Sequence, residues 1–209
     1  MRKLLHIIAT PRGSDSRTLR VSKVFIDTFK NRNQDYFIDE FNLFEKTLPD
    51  LTIKRIDGKY ALLGGKEPDG NLKYAWKDIE KEIERFTSAD IYLISSPMWN
   101  FSIPYPLKHY IDIIFQPKYL FRYAEKGAEG LLKDKKMIVI TSRGGDYNEN
   151  NPAHTYDFQE PYLRAVFGFA GIKDIVFVNA QPMDAGGEAL RNMALISAEE
   201  KARTLATEI

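Results

Sequence analysis

The sequence predicts one α/β domain covering residues 1–209, in which a parallel β-sheet is covered by helices on both faces. Five short apolar runs have the length of buried strands, and amphipathic segments with apolar residues three and four positions apart separate them. Strands that alternate with helices in this way form parallel sheets. The 209 residues suit one domain of the larger kind, and 44% hydrophobic residues suffice for a substantial core.

The composition excludes several classes of function. Lys and Arg total 30 and Asp and Glu total 29, so the net charge is +1 and no nucleic-acid partner is expected. No cysteine is present, which excludes disulfides and thiolate chemistry, and the three histidines lack metal-ligand spacing, so we expect no metal. The apolar run at the N-terminus is short and is interpreted as a first strand. No run has the length of a membrane span, and we expect a cytoplasmic protein without a membrane partner.

The first predicted strand, residues 4–9, leads into a loop of turn formers and hydroxyl groups at 10–16. An amphipathic helix follows over residues 19–29, and Ser14 or Ser16 can cap its start. Free amides and the helix dipole make such a helix N-terminus a natural anion site, so this loop suits a phosphate. An ordinary helix cap is the alternative. The loop has neither a G-x-G-x-x-G motif nor a P-loop, which argues against a dinucleotide-binding Rossmann fold and an NTPase.

The second predicted strand spans residues 36–44. Residues 48–70, which include Pro68, are irregular and are expected to form a surface excursion with some helix. A clear helical stripe then covers residues 72–86, and we expect Trp76 on that stripe to lie in the core.

The third predicted strand, residues 91–94, breaks at Pro97 into a loop of large and polar side chains, before a helix over 107–115. Pro97 and Pro104 each fix one φ angle, so the loop is stiff. A stiff loop that carries Met98, Trp99, Asn100 and Phe101 suits a flat, partly polar ligand. The alternative is that its aromatic side chains only cover the rim of the core.

The fourth predicted strand, residues 135–141, follows an aromatic segment at 116–123 and ends in a loop at 142–146. Gly144 and Gly145 let a ligand approach the backbone, although a sharp turn without a ligand is the alternative. A helix at 162–167, a fifth strand at 175–178 and a final helix at 186–209 complete the chain. The residues of the final helix that we expect to face inward are Leu190, Met193, Ala194 and Ile196.

Right-handed crossovers permit few arrangements of five such strands. The order 2-1-3-4-5 places the loops after strands one, three and four side by side, at the switch point where ligands bind in open α/β sheets. The first loop offers hydroxyls and amides to a phosphate, the second an amide side chain and aromatics to a ring, and the third glycine amides to ring carbonyls. This is the chemistry that FMN needs.

Several motifs in the same order resemble the FMN-dependent NADH azoreductases, which also act as quinone reductases. The resemblance covers essentially the whole chain, and it is carried by residues 97–104, 121–123, 127–132, 141–145 and 161–171. It implies a flavodoxin-like three-layer fold, a homodimer and an FMN site near the subunit interface. It also implies a ping-pong reaction that moves two electrons from NADH or NADPH to a quinone or azo compound. The flavin carries the hydride, so no catalytic side chain is assigned.

The resemblance also assigns site residues to this chain. Trp99 stands where the family often has Tyr, and Asp15 stands where a neutral Gln is common, so a carboxylate would lie beside a phosphate. Residues expected to bind the cofactor are Thr10, Ser14, Asp15, Ser16, Pro97, Met98, Trp99, Asn100, Phe101, Ser142, Arg143, Gly144 and Gly145. Residues expected to form an apolar lid over the substrate are Phe101, Phe121, Tyr123 and Phe167.

Two other functions are compatible with the same fold. A flavodoxin-type electron carrier would bind FMN without its own substrate reductase activity, but such carriers are usually strongly acidic, and this chain is near neutral. A flavin-free interaction module is the other alternative, and it predicts a colourless purified protein.

Overall fold

A computed structural model describes residues 1–67 and 69–209 and confirms a parallel sheet of five strands. Its strands are β1 (Arg2–Ile8), β2 (Tyr36–Asn42), β3 (Ile91–Ser95), β6 (Lys136–Ser142) and β7 (Asp174–Ala180). The sheet has the order β2-β1-β3-β6-β7, and every pair of neighbours is parallel.

Two further strands lie outside this sheet and were not predicted. β4 (Phe121–Ala124) and β5 (Gly127–Gly130) pair with each other as an antiparallel hairpin. The sequence predicts only an aromatic segment there. Because the hairpin lies between the third and fourth strands of the main sheet, the order in chain numbering is 2-1-3-6-7, and the predicted 2-1-3-4-5 is not exact in this detail.

The helices include the one expected within the 48–70 excursion. Pro68, which belongs to that excursion, lies outside the described residues. Within residues 1–67 and 69–209, no helix combines the length and apolar character needed to cross a bilayer. The helices are α1 (Arg17–Arg32), α2 (Ile53–Leu63), α3 (Gly70–Thr87), α4 (Tyr105–Ile114), α5 (Glu160–Phe169) and α6 (Gly187–Glu208), and short 3-10 turns cover Gly13–Asp15 and Pro152–Tyr156.

Two hydrophobic clusters form, one on each face of the sheet. One cluster receives side chains from α2, α3, α4 and α5, and it includes Trp76, as expected from its helical stripe. The other receives side chains from α1 and α6, which pack against each other over the second face. The strands are therefore covered on both sides, which explains why their sequences are nearly continuous apolar runs.

The inward face of α6 differs from the prediction. Leu190, Met193 and Ile196 are exposed, Met193 by 65%, and Ala194 is only partly buried. The buried face consists instead of Leu195, Ala198, Ala202 and Ala206. The prediction followed the largest apolar side chains, whereas the small alanine side chains allow α6 to lie close to α1. Volume at the contact, and not hydrophobicity alone, selects the inward face.

A chain of buried polar groups runs beneath α1. His6 on β1 lies 2.7 Å from Ser95 Oγ, Ser95 Oγ lies 2.7 Å from Ser22 Oγ, and Ser22 Oγ donates to the Thr18 carbonyl at 3.0 Å. Each hydroxyl has one proton, so Ser95 donates to Ser22, and His6 Nε2–H donates to Ser95. The unprotonated Nδ1 of His6 then faces Glu40, with 3.9 Å between Nδ1 and Oε1. Burial lowers the pKa of His6 below its ordinary value of 6.5, although Glu40 acts in the opposite direction.

This arrangement predicts a loss of stability in acid that depends on His6. Below pH 6.5 the unfolded chain binds a proton at His6 that the folded chain does not bind, so stability falls as the pH decreases. Replacing His6→Gln keeps a donor for Ser95 and removes the titration. Relative to this variant, the wild-type free energy of unfolding should fall by up to about 1.4 kcal/mol per pH unit below that point.

Urea unfolding at several pH values measures the difference. His154→Gln, a change at an exposed histidine, is the control. If wild type and His6→Gln lose stability in parallel on acidification, the assignment to His6 is wrong.

Candidate functional site

Three loops meet at the carboxyl edge of the sheet, after β1, β3 and β6. A backbone hydrogen bond of 2.9 Å from Met98 N to Ser142 O joins the second loop to the third. The loops enclose a cavity of about 250 Å³. The residues that line it are Thr10, Pro11, Arg12, Ser16, Arg17, Pro97, Met98, Trp99, Ser142, Arg143, Gly144, Met183 and Asp184.

The first loop presents the N-terminus of α1 to this cavity. Ser16 is the N-cap, and its Oγ accepts a hydrogen bond from Leu19 N at 3.2 Å. The first turn of a helix leaves backbone N–H groups without partners inside the helix, so this end attracts anions. Arg17 adds a cation at the same place, and it is paired with Asp184 at 2.8 Å. An anion that binds here competes with Asp184 for Arg17.

Ser14 and Asp15 lie differently from Ser16. Both belong to the 3-10 turn before α1, both are exposed, and neither lines this cavity. Ser14 instead lines a separate groove between α1 and the β1–β2 side of the sheet, which also includes His6 and Glu40. The structure therefore brings Thr10 and Ser16 to the cavity and leaves Ser14 and Asp15 at its rim.

The second loop forms a tight two-residue turn. Trp99 and Ser102 exchange backbone hydrogen bonds of 2.9 and 3.0 Å, and Asn100 and Phe101 between them have φ angles of 46° and 70°. A left-handed conformation is costly for a residue such as phenylalanine and persists where the surroundings hold it. Phe158 supplies such a contact, because its backbone N donates to Phe101 O at 3.0 Å. The Asn100 and Phe101 side chains are exposed, and unlike Met98 and Trp99 they do not line the cavity.

The third loop is tied to α1 and to the loop after β7. Ser142 Oγ lies 2.7 Å from Thr18 Oγ1, and Gly144 O accepts hydrogen bonds from Asp184 N and Ala185 N. A Cβ atom on Gly144 would lie 3.2 Å from the Asp184 carboxylate, and one on Gly145 would lie 3.3 Å from the Tyr147 ring. The two glycines thus permit a close approach that a side chain would crowd.

Arg143 lines the cavity, but its guanidinium is buried, with 1% of the side chain exposed. Nη1 donates to Asp157 Oδ2 at 2.7 Å, and Nε donates to Thr141 Oγ1 and Gln159 Oε1. Burial lowers the pKa of Arg143, while Asp157 and Glu160 act in the opposite direction. An arginine nevertheless stays charged in proteins. Nη1 and Nε are therefore used within the protein. Nη2 is buried without a hydrogen-bond partner among the described residues, and it lies 3.7 Å from Glu160 Oε2.

Two of the four expected lid residues are in the core. Phe167 is fully buried and stacks on Phe86, with 5.8 Å between ring centroids. Phe121 is 6% exposed and stacks on Phe115. Phe101 and Tyr123 are exposed by 45% and 69%. Phe101 and Tyr123 are therefore the two that keep exposed side chains, although neither lines the cavity, and Tyr123 lies on the β4–β5 hairpin. The other two contribute packing.

Sequence reasoning did not single out Met183, Asp184 or Gln159. Met183 and Asp184 follow β7, so the rule that loops after parallel strands share one edge could have found them. Gln159 had no signal of its own, because it lies just before α5 and far along the chain from the residues it contacts. Together the loops join an anion-binding end to an aromatic, partly open end, which suits a ligand with a phosphate and a flat ring.

Comparisons with known proteins identify the family and the fold. Residues 2–205 match the family with the flavodoxin-like fold. FMN-dependent NADH:quinone oxidoreductases from Nitratidesulfovibrio vulgaris and Desulfotalea psychrophila are 36% and 37% identical over 208 and 210 residues, and the alignments cover 100% of this chain and 100% and 98% of theirs.

Solved structures are similar over the same length. An FMN-dependent NADH-azoreductase from Bacillus anthracis, solved in complex with FMN, superposes with a TM-score of 0.85 at 30% identity, over 99% of this chain and 100% of that one. An azoreductase from the Sterne strain of the same species has a TM-score of 0.91 at 24% identity over 100% of both chains, which shows the shared fold. The chain therefore belongs to the flavodoxin-like family and, within it, to the FMN-dependent NADH:quinone oxidoreductases and NADH-azoreductases.

Proposed function

We propose that this protein is an FMN-dependent oxidoreductase that moves two electrons from NADH to quinones or azo compounds. The observation that carries the proposal is the single cavity at which the loops after β1, β3 and β6 meet. The quinone and azo acceptors come from the names of the similar proteins. NADH belongs to the cytoplasmic pool of reductants, so we place the reaction in the cytoplasm, carried out by one flavodoxin-like domain over residues 1–209.

The residues at the cavity fit FMN. Thr10, Ser16 and the N-terminus of α1 would hold the phosphate, with Arg17 as the nearby cation. Ser14 and Asp15, at the rim, complete the loop. The ring would lie between the second and third loops, against Pro97, Met98, Trp99, Asn100 and Phe101 on one side and Ser142, Arg143, Gly144 and Gly145 on the other. When bound, FMN supplies the hydride and electron chemistry that the side chains lack.

The protein groups around the ring orient the reactants and stabilise charge. The Asn100 amide and the backbone of Gly144 and Gly145 supply preorganised dipoles for negative charge that develops on the ring. Exposed aromatic residues border the open end: Phe101 contacts Tyr156 with 5.3 Å between ring centroids, and Trp99 contacts Phe44 edge-on. Flat donors and acceptors stack well on such a border, so we propose that NADH and the acceptor use it in turn, as a ping-pong reaction requires.

We further propose that the protein is a homodimer. Ile53 and Tyr60 on α2 are 80% and 66% exposed, and Tyr105 at the start of α4 is 71% exposed. Large apolar side chains exposed on a monomer surface are typical of an interaction site. Tyr105 also contacts Trp99 and Phe44 at the ring end of the cavity, so a partner on this face would lie next to the flavin.

The proposed function predicts a yellow protein that NADH bleaches. Purified protein, or protein incubated with FMN and desalted, should show the visible flavin band, and anaerobic NADH should remove it rapidly. Adding a quinone should restore the band. A colourless protein that binds no added FMN would rule the proposal out, and a flavin band that NADH leaves unchanged would favour the carrier function.

A second prediction separates the two serines of the phosphate loop. Ser16→Ala removes the cap of α1, so the free energy of unfolding should fall by about 1 kcal/mol. Ser14→Ala should leave stability within about 0.5 kcal/mol, because Ser14 is exposed and does not cap the helix. FMN titration should show the larger loss of affinity for Ser16→Ala. If Ser14→Ala weakens FMN binding more, the loop rearranges when it binds phosphate.

The dimer prediction compares two surfaces. Tyr60→Glu should convert the protein to a monomer in sedimentation velocity and weaken FMN binding, because a charge is placed in the proposed interface. Met193→Glu, at an exposed apolar position on α6, should remain dimeric. If Met193→Glu dissociates and Tyr60→Glu does not, the interface lies on α6. A wild-type monomer would refute the dimer.

A further inference from the structure

Gln159 links the two loops that border the ring end of the cavity. Its side chain is fully buried. Oε1 accepts a hydrogen bond from Arg143 Nε at 3.2 Å, on the side of the third loop. Nε2 donates to Pro97 O at 3.0 Å and to Ser96 O at 3.3 Å, on the side of the second loop. One amide group thus spans the gap between the segments after β3 and β6.

The Arg143 end of this link is itself held in place. Asp157 Oδ2 accepts from Arg143 Nη1 at 2.7 Å, and the other oxygen, Oδ1, accepts from the backbone N of Gln159 and Glu160 at 2.9 and 3.1 Å. Asp157 therefore fixes both the guanidinium and the backbone that carries Gln159. Arg143, Asp157 and Gln159 form a closed set of contacts at the start of α5.

The orientation of the Gln159 amide follows from its partners. A guanidinium has only donors, so the amide oxygen must face Arg143, and the Pro97 and Ser96 carbonyls have only acceptors, so the amide nitrogen must face them. An apolar side chain would make neither contact. A carboxylate would keep the contact with Arg143 and place a second oxygen against the Pro97 carbonyl.

We propose that Gln159 is a positioning residue that sets the spacing between the 96–101 and 142–145 loops and so shapes the ring site. The inference rests on the proposed function, because the ring is that of FMN. Gln159 lies behind the loops and acts through their backbone. The Met98 N to Ser142 O hydrogen bond also joins the loops, and Gln159 adds a second connection through Pro97 and Arg143. With a single connection the two loops could pivot about it, whereas two connections resist such a hinge motion.

The main test is Gln159→Leu, with Gln116→Leu as the matched control. Gln116 is also a buried glutamine whose Nε2 donates to two backbone carbonyls, those of Asp112 and Ile113, but it lies at the far end of α4 from the ring loops. Gln159→Leu should raise the FMN dissociation constant about tenfold, the loss expected for one to two hydrogen bonds, and shift the visible band and reduction potential of the bound flavin. Gln116→Leu should lower the melting temperature and leave all three properties unchanged.

A second variant keeps the test decisive if Gln159→Leu does not fold. Gln159→Glu retains the shape and the acceptor for Arg143, and its carboxylate repels the Pro97 carbonyl. Protonation of this carboxylate restores a donor, so the FMN affinity of the variant relative to wild type should increase as the pH is lowered. A purely structural residue would not show this rescue in affinity and spectrum.

The outcomes separate the two proposals. If wild type binds no FMN, the proposed function fails first. If wild type binds FMN, and Gln159→Leu or Gln159→Glu binds it with wild-type affinity, spectrum and potential, the positioning role is overturned. Equal effects of Gln159→Leu and Gln116→Leu on FMN binding would overturn it as well, because they would reflect lost stability alone.

Discussion

The parallel register of β1, β3 and β6 is the constraint on which the site depends. Parallel strands end at the same edge, so three loops far apart in the chain are brought within one cavity. The first loop suits an anion because a helix begins there, and we propose that the other two form a ring site because one carries aromatics and the other glycines. Each loop contributes different chemistry, and the sheet brings the three loops close together.

Buried polar networks then hold the loops from both faces of the sheet. On the α1 face, the chain from His6 through Ser95 to Ser22 reaches the first turn of α1. At the start of α5, the Arg143–Asp157 pair and Gln159 reach the two ring loops. Burying such groups is unfavourable unless their hydrogen bonds are made, so each network tolerates few alternatives. In return for this cost of burial, the networks fix a specific geometry at the site.

Stability and function use the aromatic residues differently. Phe86, Phe167 and Trp76 are buried against the sheet and pack the core. Trp99, which lines the cavity, and the nearby Phe101 and Tyr105 stay exposed, although sequence composition alone does not distinguish them from core residues. The distinction comes from backbone direction, since the left-handed turn at Asn100 and Phe101 points side chains away from the core. We propose that this exposed aromatic surface receives a stacking substrate and a second subunit.

The sequence by itself determined the five parallel strands, most of the helices, the burial of Trp76 and the family, because periodicity and ordered motifs are local signals. The tertiary structure decided that α6 buries its alanine stripe, that Phe121 and Phe167 pack inward, and that Ser16 rather than Ser14 lines the cavity. It also turned Arg143 inward and placed Gln159 between two loops. These outcomes depend on which neighbour fills the space or supplies the partner atom, and that neighbour is distant in sequence.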